Sequence, residues 1–242
     1  ERRPGLFTGG GCVVDATPAA RRSDTLKAVA FCFEQELSRQ PDWQTMEIAS
    51  AGGEDKDASV RLVGRYGRHQ PIQLTYLLPP DDSALQIIVE VTNEDTRPVR
   101  LAPGLAVFTG RTRRFAPPLG FDVVYQNSQI LYLGWGDGST SYGLMDEKGN
   151  PWHSRHEPGL SLIRAGRRTI PPGKTARWRW FLYVIEEPIS GIADRYWPVA
   201  KLPTGNAQFQ FIEPENAVPV PGMTVLLRDG RGAVLTTARS DE

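Results

Sequence analysis

Histidine, cysteine and methionine are scarce in this sequence, which has three His, two Cys and three Met among 242 residues. The two cysteines, Cys12 and Cys32, cannot form a zinc site alone, and a disulfide or a pair of buried free thiols both remain open. An excess of one charge is missing too, since 28 Lys and Arg stand against 28 Asp and Glu. A chain without surplus positive charge lacks the electrostatic footprint of a nucleic-acid binder. The longest apolar run, Ala28–Phe33, falls far short of the roughly 18 residues that cross a bilayer, so no membrane span is expected. No charged-then-apolar leader opens the chain. Methionine first occurs at position 46, so Glu1 is not an initiator and the chain reads as a processed or excised piece of a longer precursor. Two familiar catalytic loops are absent as well. Thr8-Gly-Gly-Gly-Cys12 lacks the Lys-Ser/Thr and the helix of a phosphate loop, and Gly136-Asp-Gly-Ser-Thr140 is not a nucleophile elbow.

What the chain has in plenty is punctuation, with 24 Gly and 20 Pro, beside 40% apolar residues that suffice for a packed core. Apolar and polar residues alternate in short runs. In Ala84–Val91 the side chains of Leu85, Ile87, Val89 and Val91 share one face while Gln86 and Glu90 share the other. Similar runs at 59–64, 71–78, 99–108, 122–125, 129–135, 142–145, 160–163 and 176–185 are separated by turn-forming clusters such as Pro79-Pro80-Asp81-Asp82. The expected class is therefore all-β, an antiparallel β-sandwich or supersandwich.

The run 176–185 predicts a central strand, with Trp178, Trp180, Leu182 and Val184 on one face. Phe181, Tyr183 and Ile185 make the far half of the other face apolar as well, behind Arg177 and Arg179. Ahead of it, Ile170-Pro-Pro-Gly-Lys174 predicts a turn in which Gly173 takes positive φ. The stretch 24–37 reads either as a helix or as a strand. A single helical turn is expected over 191–197.

Two family resemblances follow from particular residues. Leu85–Asp95, then Arg97-Pro-Val-Arg-Leu101, then Ile170–Thr175 and Trp178–Val184 resemble the closing half of a galactose-mutarotase-like β-sandwich, over about residues 55–190. The tail, with Pro219, Pro221, Gly222, Val225, Leu227, Asp229 and Gly232, is similar to the opening strands of a carboxypeptidase-regulatory-like, immunoglobulin-like module, and halts at Ser240-Asp241-Glu242. These resemblances imply a mutarotase-like sandwich at 1–205 and a partial module at 206–242. Val225, Leu227 and Val234 would form an uncovered apolar face there, which calls for other domains or subunits as partners. Large secreted metallohydrolases are one setting for that order, which favours a periplasmic or extracellular location.

The mutarotase resemblance implies a general-base carboxylate facing an imidazole across a sugar ring. The sequence departs from that pattern, having no Asn-His pair and no Glu in a comparable strand, and this weighs against an epimerase. His153 and His156, in Trp152-His-Ser-Arg-His-Glu157, are spaced to share a metal only on a helix. With no Cys or Asp-rich partner cluster nearby, they read as exposed histidines of a polar loop, and no metal or other cofactor is expected. A carbohydrate-contacting groove is the candidate site, with Trp135, Tyr142 and Trp152 as stacking rings and Asp137 accepting hydroxyls. His153, His156, Arg111, Arg113 and Arg114 would complete it. The bland alternative is a Gly-rich hairpin beside a solvated Arg edge. The leading expectation is a non-catalytic β-sandwich module of a larger exported bacterial protein, structural or glycan-contacting. The alternatives are a sugar-modifying enzyme of the mutarotase-like fold, using His153 or His156 with Asp137 or Glu157, and a subunit of an extracellular filament or surface layer.

Overall fold

The computed structural model describes residues 12–13, 28–35, 40–53, 56–80, 82, 84–109, 112–136, 140–200, 222, 224–228 and 234–239. In chain order the elements are β1 (Cys12–Val13), β2 (Ala28–Phe33), β3 (Asp42–Gly53), β4 (Lys56–Tyr66), β5 (Gln70–Leu78), β6 (Ala84–Thr92) and β7 (Val99–Leu101). There follow β8 (Pro103–Phe108), β9 (Arg113–Ala116), β10 (Gly120–Phe121), β11 (Tyr125–Ile130), β12 (Leu133–Gly136), β13 (Ser141–Asp146) and β14 (Trp152–Glu157). The last are β15 (Leu160–Arg164), β16 (Arg168–Ile170), β17 (Thr175–Ile185), the helix α1 (Ser190–Ala200), β18 (Thr224–Arg228) and β19 (Val234–Arg239).

Two antiparallel sheets make the expected all-β sandwich. One has six strands in the order β1-β2-β8-β15-β14-β11, the other nine in the order β10-β9-β12-β13-β17-β6-β5-β4-β3. Their inner faces supply one core. Phe31, Phe33, Leu105, Val107 and Ile163 come from the first sheet, and Leu74, Ile87, Val89, Trp178, Trp180 and Leu182 from the second. Burying such side chains is worth roughly 1.5–3 kcal/mol each and is the main force closing the layers. β17 is central, between β13 and β6. Its second apolar stretch, Phe181, Tyr183 and Ile185, packs with Tyr132, Met145, Ile192 and Tyr196, so α1 covers the outer face that alternation left apolar.

One open local expectation is settled and others change. The stretch 24–37 contains a strand, β2, all of whose residues are buried. The helix runs three turns rather than one, entered through N–H bonds from Gly191 and Ile192 to the Pro188 and Ile189 carbonyls (2.9 and 3.0 Å). Pro198 lies in the final turn, where its missing N–H leaves the Asp194 carbonyl without its i→i−4 partner. The run 99–108 is two strands. Pro103 cannot continue donating to a ladder, and after Ala102 the chain leaves the small β7–β16 sheet to join the six-stranded one.

Asn93, directly after β6, braces that region. Its fully buried amide donates to the carbonyls of Arg97 and Ile170, both at 2.8 Å, and its side-chain oxygen accepts from the Asp95 amide at 3.0 Å. Gly173 takes φ +67 in the facing turn and donates to the Asn93 carbonyl at 2.7 Å. Cys32 is a buried free thiol, which burial pushes up to about 12 in pKa.

The chain divides into two compact units, Glu1–Lys201 and Leu202–Glu242. In the second, β18 and β19 pair antiparallel from Thr224↔Arg239 to Arg228↔Val234. Pro219, Pro221, Asp229, Gly232 and the expected apolar face of Val225, Leu227 and Val234 fall outside what is described.

Candidate functional site

The aromatic side chains expected to stack on a sugar lie in the core of the sandwich. Trp135 and Tyr142 are cross-strand partners of β12 and β13, so both point the same way, and their rings stack at 5.5 Å and 14° with neither exposed. Trp152, on β14, packs edge-on against Trp180 at 6.2 Å. The three rings belong to one buried cluster. Asp137 and Arg111 lie outside the described residues.

The segment 152–157 is strand β14 and not a polar loop. Its strict alternation of buried and half-buried residues sends Trp152, Ser154 and His156 inward and His153, Arg155 and Glu157 outward. His153 and His156 therefore face opposite sides of the sheet, as any i, i+3 pair on a strand must. His156, 1% exposed, has Nδ1 2.5 Å from Ser161 Oγ. Burial lowers its pKa to about 4, Arg114 adds to that, and Asp122 opposes it. His153 is lowered by partial burial, then by Arg164 and Arg167. His69 sits apart, on the exposed turn between β4 and β5.

The two arginines of β9 divide in the same way. Arg113 is exposed, pairs with Asp122 at 3.3 Å and lies over the Phe121 ring. Arg114 is buried and donates to the Glu157 carbonyl at 2.7 Å. Arg114, His156 and Ser161 thus form an interior polar cluster that ties β9 to β14 and β15. Such a cluster holds the two layers in register, and its burial keeps solvent-borne ligands away.

An open pocket of about 340 Å³ is lined by Glu34, Tyr66, Arg100, Leu101 and Arg167. Four segments meet there: the turn after β2, the end of β4, strand β7, and the link between β15 and β16. Glu34 and Gln35 both have positive φ, +53 and +62, an unfavourable backbone for residues other than Gly that must be held by its surroundings. The Glu34 amide donates to the Ala102 carbonyl at 3.0 Å, and Gln35 Nε2 donates to the carbonyls of His153 and Leu162 at 3.0 and 2.9 Å. So fixed, Glu34 receives Arg167 as a fork, with Nη2–Oε2 at 2.7 Å and Nε–Oε2 at 3.1 Å. Nothing in the local sequence marks these residues as a group, because they are assembled by strand pairing across the whole sandwich.

No protein-family model matches the sequence, and no curated protein matches it significantly. Among solved structures, the α-galactosidase AgaB from Geobacillus stearothermophilus is similar at TM-score 0.49 and 8% identity, over 71% of this chain and 31% of that one. A protein assigned as an aldose 1-epimerase from Escherichia coli is similar at TM-score 0.41 and 10% identity, over 60% of this chain and 69% of that one. This chain thus spans less than a third of the length of that α-galactosidase. At this level neither comparison carries chemistry over to this chain.

Proposed function

We propose that the chain is a non-catalytic β-sandwich module of a larger exported protein, serving in structural support or glycan contact. The observation that carries this reading is the separation of the three imidazoles. His69 lies on an exposed turn, His153 on the outer side of β14 and His156 in the interior. Mutarotase-type chemistry, the enzymatic alternative raised by the sequence, needs an imidazole and a carboxylate converging on one accessible point. His156, the imidazole of the interior cluster, is walled off and held neutral at physiological pH.

Contact with glycan is supported by the pocket of Tyr66, Arg100 and Arg167, which combines an aromatic wall with charged groups. Partnership through the tail is supported by the β18–β19 hairpin, which forms a two-stranded sheet of its own among the described residues. A two-stranded hairpin by itself is marginal in water, and strands supplied by a neighbouring domain would stabilise it.

Two measurements on the full chain test the reading. Anomer interconversion of glucose and galactose, followed by NMR, is expected to proceed at the uncatalysed rate, and catalysis abolished by His153→Gln or His156→Gln would overturn the non-catalytic part. Binding to a panel of neutral and acidic oligosaccharides by calorimetry is expected to detect at least one glycan. With no binding, only the structural role would stand.

A further inference from the structure

The pocket at the β7 end of the sandwich contains one guanidinium that is tied down and one that is not. Arg167 is forked onto Glu34, whose own side chain is only 12% exposed. Arg100, on β7, pairs through its backbone with Thr169 of β16. Its exposed side chain has no ion pair or hydrogen bond among the described residues. Among the described residues the lining is therefore net positive even with Glu34 ionised, and Arg164 stands close enough to both Glu34 and Arg167 to be perturbed by them. Beside these charges lie Leu101 and the Tyr66 ring, which is packed on one side against Phe33 with centroids 4.0 Å apart.

This combination selects a ligand chemistry. A free guanidinium beside a partly neutralised one suits a single carboxylate, bound by the planar fork that guanidinium presents. A fixed carboxylate that already accepts from Arg167 has lone pairs left for hydroxyl donors, while tyrosine and leucine offer an apolar wall to the C–H face of a ring. The volume lies near the low end of the roughly 300–1,000 Å³ of small-ligand sites, enough for a sugar unit and not for an extended polymer. We propose that this pocket binds one carboxylate-bearing sugar ring, a hexuronate, with Arg100 holding the carboxylate and Glu34 receiving a hydroxyl. The inference deepens the glycan-contact reading and rests on it.

The test is calorimetric titration of the full chain with glucuronate, galacturonate and short oligogalacturonides, each beside its neutral counterpart, glucose, galactose or galacto-oligosaccharide. The uronates are expected to bind at least about ten-fold more tightly than the neutral sugars, the worth of one charge-assisted bidentate contact. That preference should shrink as salt is raised. Arg100→Gln is expected to abolish the preference, and Arg100→Lys to restore part of it. Equal affinity for uronates and neutral sugars in the unsubstituted protein would overturn the inference and leave glycan contact standing, as would a preference that survives Arg100→Gln. Binding of neither class would overturn both. Equal affinity for free acetate and glucuronate would show a carboxylate site with no sugar specificity and would also overturn it. The comparison of uronate with neutral sugar uses the unsubstituted chain, and that arm does not depend on how any variant folds.

Discussion

Two buried polar side chains decide much at the scale of single residues. Asn93 makes three side-chain hydrogen bonds, two that shape the loop after β6 and one, to the Ile170 carbonyl, that ties the end of β6 to the turn before β17. Removing them orphans two buried or half-buried carbonyls, a loss well above that of a single exchanged hydrogen bond. Asn93→Ala is expected to cost about 2–3 kcal/mol, read as a lower denaturant midpoint, and a change under about 0.5 kcal/mol would contradict the bracing role.

His156 is held neutral in the folded chain, with a pKa of about 4 against 6.5 for the free imidazole. Below pH 6.5 the unfolded chain takes up a proton that the folded chain refuses, so the stability this residue confers is complete above 6.5 and falls as pH drops toward 4. The difference is on the order of 3 kcal/mol. His156→Gln is expected to flatten the stability curve over that window, and a variant whose curve parallels the parent's would show that other groups set the slope.

Elements were legible in the sequence where they follow a simple hydrophobic rhythm and hidden where they do not. The alternation in β5, β6 and β17 points straight at the core, and the bare outer stretch of β17 marks where α1 lies. β14 is hidden because two of its three inward positions are Ser154 and His156, so a burial pattern of period two carries no hydrophobic pattern of period two. The same holds for Arg114 in β9. β3 was missed for the opposite reason, being an edge strand whose apolar Met46 and Ile48 face solvent. The pocket residues Glu34, Tyr66, Arg100 and Arg167 were not foreseeable, since each is locally unremarkable and only strand order brings them together.

The contact between α1 and β13 offers a prediction of its own. A methyl group on Gly143 would come within 2.5 Å of Ile192 Cγ2. Gly143→Ala should therefore destabilise by about 1–3 kcal/mol through overpacking. Combining it with Ile192→Ala should cost less than the sum of the two single changes, a non-additivity that a double-mutant cycle in denaturant would detect.

At the scale of the whole molecule, two features govern behaviour in solution. The chain carries no net charge at neutral pH, and the edge of its larger sheet shows Met46 and Ile48, 72% and 74% exposed. Uncharged proteins with an apolar strand edge tend to associate, although the two register shifts in the β3–β4 pairing twist that edge. Replacing both residues by lysine is expected to leave the unfolding free energy within about 0.5 kcal/mol and to keep the protein monodisperse at higher concentration. Light scattering of the two proteins side by side checks it.

The position of β17 in the larger sheet has a consequence during synthesis. β3 to β6 form one ribbon, and β9, β10, β12 and β13 another, and only Thr175–Ile185 stitches them together. A nascent chain on the ribosome must carry both ribbons with raw margins until that late segment emerges. Such a polypeptide is most vulnerable to aggregation until Ile185 has emerged, and translation stalled ahead of Thr175 would leave a species that chaperones must shelter.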